Sequence, residues 1–176
     1  HENTNVIVSG GPLSVSITDN NITGTECPGS TIELSALISG GDPGYSYSWS
    51  TTENASIITV NPDATTTYTV LVTDNSANTA SAEIIITVNP NPVVNAGIDS
   101  TICAGQSIDL IATGDLGNNY SWLNGPSSAT MSIAPTTSTS YIVIGTDANG
   151  CINKDTVDIT VNNAPIADAG ADIISC

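Results

Sequence analysis

Thr67-Tyr68-Thr69-Val70-Leu71-Val72-Thr73-Asp74 alternates polar and apolar residues up to an aspartate, and the chain repeats the pattern as Ser140-Tyr141-Ile142-Val143-Ile144-Gly145-Thr146-Asp147. The landmarks around the two copies keep register. Trp49 and Trp122 each stand 19 residues before their tyrosine, and Pro62 and Pro135 each stand six before it. Val88 and Val161 each follow their aspartate by 14 residues. A match of this length is an internal repeat, which sets the domain count before any other feature does.

Reading outward from the two copies divides the chain. Repeat 1 runs over 12–90 and repeat 2 over 91–163. Residues 1–11 close on Asn5-Val6-Ile7-Val8-Ser9, which resembles Ile86-Thr87-Val88-Asn89-Pro90 and Ile159-Thr160-Val161-Asn162-Asn163. They read as the last strand of a preceding repeat. Residues 164–176 read as the start of a third, because Ala169-Gly170-Ala171-Asp172-Ile173-Ile174-Ser175-Cys176 matches Ala96-Gly97-Ile98-Asp99-Ser100-Thr101-Ile102-Cys103. The chain is expected to be a window onto a longer tandem array.

Composition narrows the class. The chain has 17 Asp and Glu against one Lys and no Arg, for a net charge of −16. Nucleic acid and anionic membrane surfaces need clustered cations and are poor partners for such a chain. No apolar run approaches the ~18 residues of a membrane helix. With 24 Thr, 21 Ser and no Phe, the composition favours strands. Apolar residues nowhere recur at helical spacing, whereas Ser30–Ala36 and Ser107–Ala112 alternate. The expected class is all-β.

Turn signals in repeat 2 mark strands at 93–96 (A), 100–102 (A′), 107–113 (B), 119–123 (C), 129–134 (E), 140–147 (F) and 155–162 (G). Seven short strands at this spacing indicate an immunoglobulin-like sandwich. Trp on strand C and Tyr opening strand F fit that plan. Repeat 1 is three residues longer between B and C, where Gly40-Gly41-Asp42-Pro43-Gly44 makes a longer loop.

The stretches AGIDSTICAGQSIDLIATG, YSW, PTTSTSYIVIGTDANGC and DTVDITV resemble the PKD-like/Ig-like repeats of giant cell-surface adhesins from gliding, type-IX-secreting bacteria. The resemblance implies tandem β-sandwiches forming the stalk or filament of a secreted adhesin for gliding motility or attachment. It places the protein outside the cell, on a bacterial surface. The partners it implies are neighbouring repeats of the same polypeptide, surface polysaccharide or other adhesin chains. Two other classes stay open: a glycan- or protein-recognition module, and an accessory domain of a secreted hydrolase.

Few residues offer chemistry. Tyr68 and Tyr141 at the E–F corner and Trp49 and Trp122 on strand C read as structural core. Tyr45 and Tyr47 beside the longer loop are the better candidates for exposed aromatics. Asp42, Asp74, Asp99, Asp115, Asp147 and Asp172 fall one or two to a turn and read as solvated turn residues. None has the Asp-x-Asp-x-Asp-Gly spacing of a calcium loop, so no cofactor is expected; a calcium ion at a junction between repeats is the alternative. The only His is His1 and the only Lys is Lys154. Neither a Ser-His-Asp set nor a zinc site can be assembled, and no enzyme is expected.

The four cysteines carry the most information. The usual positions of an inter-sheet bridge fall on Leu110 or Ile111 and on Val143, all aliphatic. Cys27, Cys103 and Cys176 fall at the A–B turn, and Cys151 just past the F–G turn, at the opposite pole of a sandwich. A six-residue strand spans ~20 Å, whereas bridged Cα atoms lie within ~7 Å. Repeat 1 carries Asn78 where repeat 2 has Cys151. The expectation is an inter-repeat bridge between Cys27 and Cys151, with Cys103 and Cys176 bonding to repeats outside the window. A Cys103–Cys151 bridge and free thiols are the alternatives.

Overall fold

The computed structural model describes residues 11–20, 26–115, 117 and 119–163. The chain divides into two compact units, His1–Asn91 and Pro92–Cys176. Among the described residues every regular element is a strand.

Unit 1 contains β1 (Ser14–Asp19), β2 (Ile32–Ser39), β3 (Ser46–Trp49), β4 (Ile57–Val60), β5 (Thr66–Thr73) and β6 (Thr79–Ile86). One sheet has the order β1-β2-β4, the other β3-β5-β6. In the lettering of the sandwich these are A-B-E and C-F-G. A parallel bridge between Glu26 and Val88 adds the A′ segment beside the end of G. The motif that opened the sequence reading is β5, the middle strand of its sheet. Its burial alternates so that Tyr68, Val70 and Val72 point inward. Trp49 lies opposite Val70 and packs with Ile32, Leu34, Ile58, Val60 and Ile86.

Unit 2 contains β7 (Val94–Asn95), β8 (Ser100–Cys103), β9 (Ile108–Ile111), β10 (Thr113–Gly114), β11 (Asn119–Trp122), β12 (Thr130–Ile133), β13 (Thr139–Thr146) and β14 (Ile152–Asn162). Its larger sheet runs β11-β13-β14-β8, or C-F-G-A′, with β8 parallel to β14. The facing side is two short pairs, β7 with β10 and β9 with β12. Trp122 lies opposite Val143 and packs with Ile102, Leu110, Val157 and Ile159. The bridge positions resolve here: Leu110 and Val143 are in the core, while Ile111 is exposed. Gly145 takes the place of Val72 in this F strand because Val94 of strand A closes over it; a Cβ there would meet Val94 Cγ2 at 2.4 Å.

Both units are immunoglobulin-like sandwiches. Neither core contains Phe, so a single Trp anchors each. Burying an aromatic of this size removes ~150–250 Å² from water, about 4–6 kcal/mol before entropy is set against it. A domain of ~75 residues is marginal on such a core, so the constraints at its ends matter.

Candidate functional site

The two units turn from F to G on the same aspartate. Asp74 N–H donates to Asn78 O and Ala77 N–H to Asp74 O; Asp147 N–H donates to Cys151 O and Gly150 N–H to Asp147 O. The carboxylate then caps the turn. Asp74 Oδ1 accepts from the backbone of Ser76 (3.0 Å) and Asn78 (2.8 Å), and Asp147 Oδ1 from Asn149 (2.8 Å) and Cys151 (2.9 Å). This is the side-chain mimicry of a turn that Asp performs well.

Beyond that shared frame the turns differ. Asp74 Oδ2 also accepts from the Asp42 backbone at 3.0 Å and from Asn78 Nδ2 at 3.0 Å. Asp74 is 5% exposed, and its carboxyl is held below the usual carboxylate range, chiefly by the Asn78 side chain and next by the Asp42 backbone. The sequence expectation of solvated turn aspartates is therefore wrong for Asp74, because the longer B–C loop folds back and donates to it. Asp42, Asp99 and Asp115 are likewise occupied as acceptors. Asp42 takes Asn75 and Ser76, Asp99 takes the Asp158 backbone, and Asp115 takes the Val93 backbone. Asp172 lies outside the described residues.

At the other pole the two A′–B turns coincide in detail. Ser30 N–H donates to Cys27 O at 3.1 Å, and Gln106 N–H to Cys103 O at 3.0 Å. Gly29 and Gly105 hold φ of 75° and 76° at the third turn position, as a type II turn requires. Their amides donate to Pro62 O and Pro135 O, each at 3.0 Å. The conserved spacing of the prolines in the two repeats thus has a physical basis: each supplies the acceptor that seats a cysteine-bearing turn.

Each turn lies beside the end of the G strand of its unit. Asn89 N–H donates to Glu26 O, one residue before Cys27, and Cys103 pairs in register with Asn162 at the end of β14. Cys151 lies at the opposite end of β14, whose 11 residues span ~36 Å. The chain enters unit 2 at that end, where Asn153 Nδ2 donates to Pro92 O at 2.9 Å. Cys27 is therefore an exit-side cysteine of unit 1, and Cys151 an entry-side cysteine of unit 2. Cys27 and Cys151 are both disulfide-bonded, Cys151 at 1% exposure, while Cys103 is free and exposed. The length of β14 rules out a Cys103–Cys151 bridge within one unit. Cys176 lies outside the described residues.

The aromatic candidates are occupied by the fold. Trp49 and Trp122 are buried at 3% and 2% exposure. Trp49 Nε1 donates to Ala55 O at 2.8 Å, whereas Trp122 Nε1 has no acceptor among the described residues. Tyr68 is buried, and burial pushes its phenol up, with the Thr66 side chain pulling the other way. Tyr141 is only partly buried and packs against the core rather than within it. Tyr45 and Tyr47 are not the exposed platforms expected from sequence. Both pack on the unit 1 core, and Tyr45 Oη donates to Gly40 O at 2.8 Å. Lys154 is exposed on β14. No group of three or more His, Cys, Asp or Glu that could hold a metal occurs among the described residues, and no described helix is long and apolar enough to cross a membrane.

No family model and no curated protein matches the chain. Solved structures do. The N-terminal eight Ig domains of Down Syndrome Cell Adhesion Molecule match at a TM-score of 0.52 and 16% identity, over 85% of this chain and 24% of that one. Three N-terminal domains of the highly immunogenic outer capsid protein of bacteriophage RB49 match at 0.42 and 20% identity, over 85% and 59%. A Ca2+-stabilized adhesin, described as helping an Antarctic bacterium reach out and bind ice, matches at 0.45 and 17% identity, over 88% and 50%. The chain spans less than two thirds of each of these. At such identities the first likeness speaks for the immunoglobulin-like fold alone.

Proposed function

We propose that the chain is a length of stalk from a secreted adhesin of a bacterial cell surface, and that Cys27 and Cys151 are bonded to each other as a clamp across the junction of its two sandwiches. The observation that carries this reading is the placement of the two disulfide-bonded cysteines, one beside the exit of unit 1 and one beside the entry of unit 2. They flank the two ends of one short linker, Asn89-Pro90-Asn91-Pro92, whose prolines already restrict rotation. A covalent strut beside a stiff linker stops two domains from swinging, which is what a force-bearing spacer needs. The adhesion proteins among the structural neighbours, the acidic surface and the occupied aromatics agree with a spacer better than with a recognition module or a hydrolase accessory domain. On this reading the partners are the neighbouring repeats of the same polypeptide, with surface polysaccharide or other adhesin chains met elsewhere in the array.

Pulling the chain by its ends tests the clamp and the mechanical role together. The bridge closes a loop of 124 residues (151 − 27), so ~43 nm of contour length, at ~3.5 Å per residue, stays hidden until reductant is added. Release of the full contour under oxidising conditions overturns the clamp. Non-reducing peptide mapping must recover a Cys27–Cys151 pair.

A further inference from the structure

We infer that the outer face of the C-F-G sheet of unit 2 is a docking surface for a second copy of this chain, seated on the same face with its strands antiparallel. The first observation is a contrast within the chain. Val143 and Gly145 of β13 are buried, so Ile142 and Ile144 lie on the outer face, opposite Thr156 and Lys154 of β14. Ile152 extends that face along β14, and Leu123 joins it beside Ile142. In unit 1 the residues in register with Leu123, Ile142, Ile152 and Lys154 are Ser50, Thr69, Thr79 and Ser81. One repeat thus keeps polar the face that its sister makes apolar. Leu123 and Ile152 are 54% and 58% exposed, and Lys154 among them is the only Lys or Arg in a chain of net charge −16. An apolar face set around one cation fits a partner that is acidic and apolar at its centre.

Register identifies that partner as the chain itself. Lys154, Thr156 and Asp158 are exposed on one face of β14, with Thr156 midway between the two charges. Ile142 lies opposite Thr156, and Leu123 is next across the sheet. Two copies placed face to face, with a two-fold axis lying along this row, run their strands antiparallel. Lys154 of each copy then stands over Asp158 of the other, and the apolar row meets itself between the two ion pairs. The Ser140 hydroxyl donates to Asp158 Oδ1 and holds that carboxylate on the face. Packed sheets lie ~10 Å apart, a gap that a Lys and an Asp side chain bridge together. An axis one row away, along Ile144 and Lys154, would set Lys154 against its own copy. Unit 1 is barred from the same arrangement. Its residue in the Thr156 position is Glu83, so two carboxylates would meet at the axis with no Lys to offset them. Three strands make a smaller face than a standard interface, so one pair of units associates weakly, with a Kd on the order of 0.1 mM. Tandem chains lying side by side would multiply the contact. Nothing in this arrangement depends on the clamp between Cys27 and Cys151.

Sedimentation equilibrium of the full chain tests it, with Cys103→Ser and Cys176→Ser excluding covalent association. The range is from ~10 µM to ~1 mM at about 0.15 M salt, where a screening length of ~8 Å mutes the net charge. The expected result is a monomer–dimer equilibrium. Leu123→Ser, Ile142→Thr and Lys154→Ser together give unit 2 the residues that unit 1 carries in the same register, and are expected to abolish the dimer. Lys154→Asp or Asp158→Lys alone should weaken it about tenfold. Mixing those two variants should restore it, because each supplies the sign that the other lacks. A chain that stays monomeric at ~1 mM overturns the inference. So does a dimer that survives the triple substitution, since the contact then lies elsewhere. A mixture no tighter than its two components overturns it as well, by removing the antiparallel register. Recovery in the mixture also shows that both single variants are folded, and melting of the triple variant beside the parent separates a lost surface from a lost fold.

Discussion

Unit 1 and unit 2 build one F–G turn from one aspartate and then use the fourth residue after it differently. In unit 1, Asn78 completes a network in which Asp74 draws donors from its own turn and from the B–C loop. In unit 2, Asp147 caps only its own turn among the described residues, and Cys151 is a buried, disulfide-bonded sulfur. The scaffold is held constant while one position decides whether an end closes on itself or is available for a covalent bond. Unit 1 obtains local rigidity from hydrogen bonds. Unit 2 leaves its Trp122 Nε1 without an acceptor among the described residues.

Breaking the cross-link is the largest expected perturbation. On the proposed clamp, Cys27→Ser or Cys151→Ser releases a loop of 124 residues (151 − 27), and chain-entropy reasoning puts the loss at about 4–5 kcal/mol. Denaturant unfolding of each variant, set beside wild type with and without reductant, measures it. If the double variant costs the sum of the two single variants, the cysteines are not partners.

The aspartates come next. Asp74→Ala is expected to lower the melting temperature more than Asp147→Ala, since it strands donors from two loops instead of one. Acid sharpens the point. The folded Asp74 carboxyl titrates below its unfolded value, so its contribution is complete above about pH 4 and is lost as the pH falls through the folded value. The gap in urea midpoint between wild type and Asp74→Asn should therefore narrow from pH 6 to pH 3. A gap that is constant with pH would mean that the charge on Asp74 contributes nothing.

The tryptophans separate the units by a smaller margin. Trp49→Phe loses a hydrogen bond to Ala55 O that Trp122→Phe has no counterpart for. The first should cost ~1 kcal/mol more than the second, read from melting of the two variants side by side. Equal costs would show that the Trp49 bond is fully replaced by solvent.

Calcium should do least. The turn aspartates of both units are engaged as acceptors by backbone and side-chain donors, so millimolar calcium is expected to move the melting temperature by less than ~2 °C. A rise of about ten degrees would place an ion at a junction.

The repeat, the period-two alternation of β5 and β13, and the spacing of Trp, Pro and Tyr are local or strictly periodic, so the strands, most of their inward faces and the ends of the sandwich at which Cys27, Cys103 and Cys151 lie were legible in the chain itself. Three features were not. Asp74 is buried because the Asp42 amide, 32 residues away, reaches it. Tyr45 is tied down by Gly40 O rather than offered to a ligand. Trp49 finds an acceptor in its C–E loop where Trp122 finds none. Each of these depends on how an irregular loop closes over the end of a sandwich. Loop closure follows from backbone dihedrals and from contacts made only after the sheets have packed, which no periodic pattern in the sequence encodes.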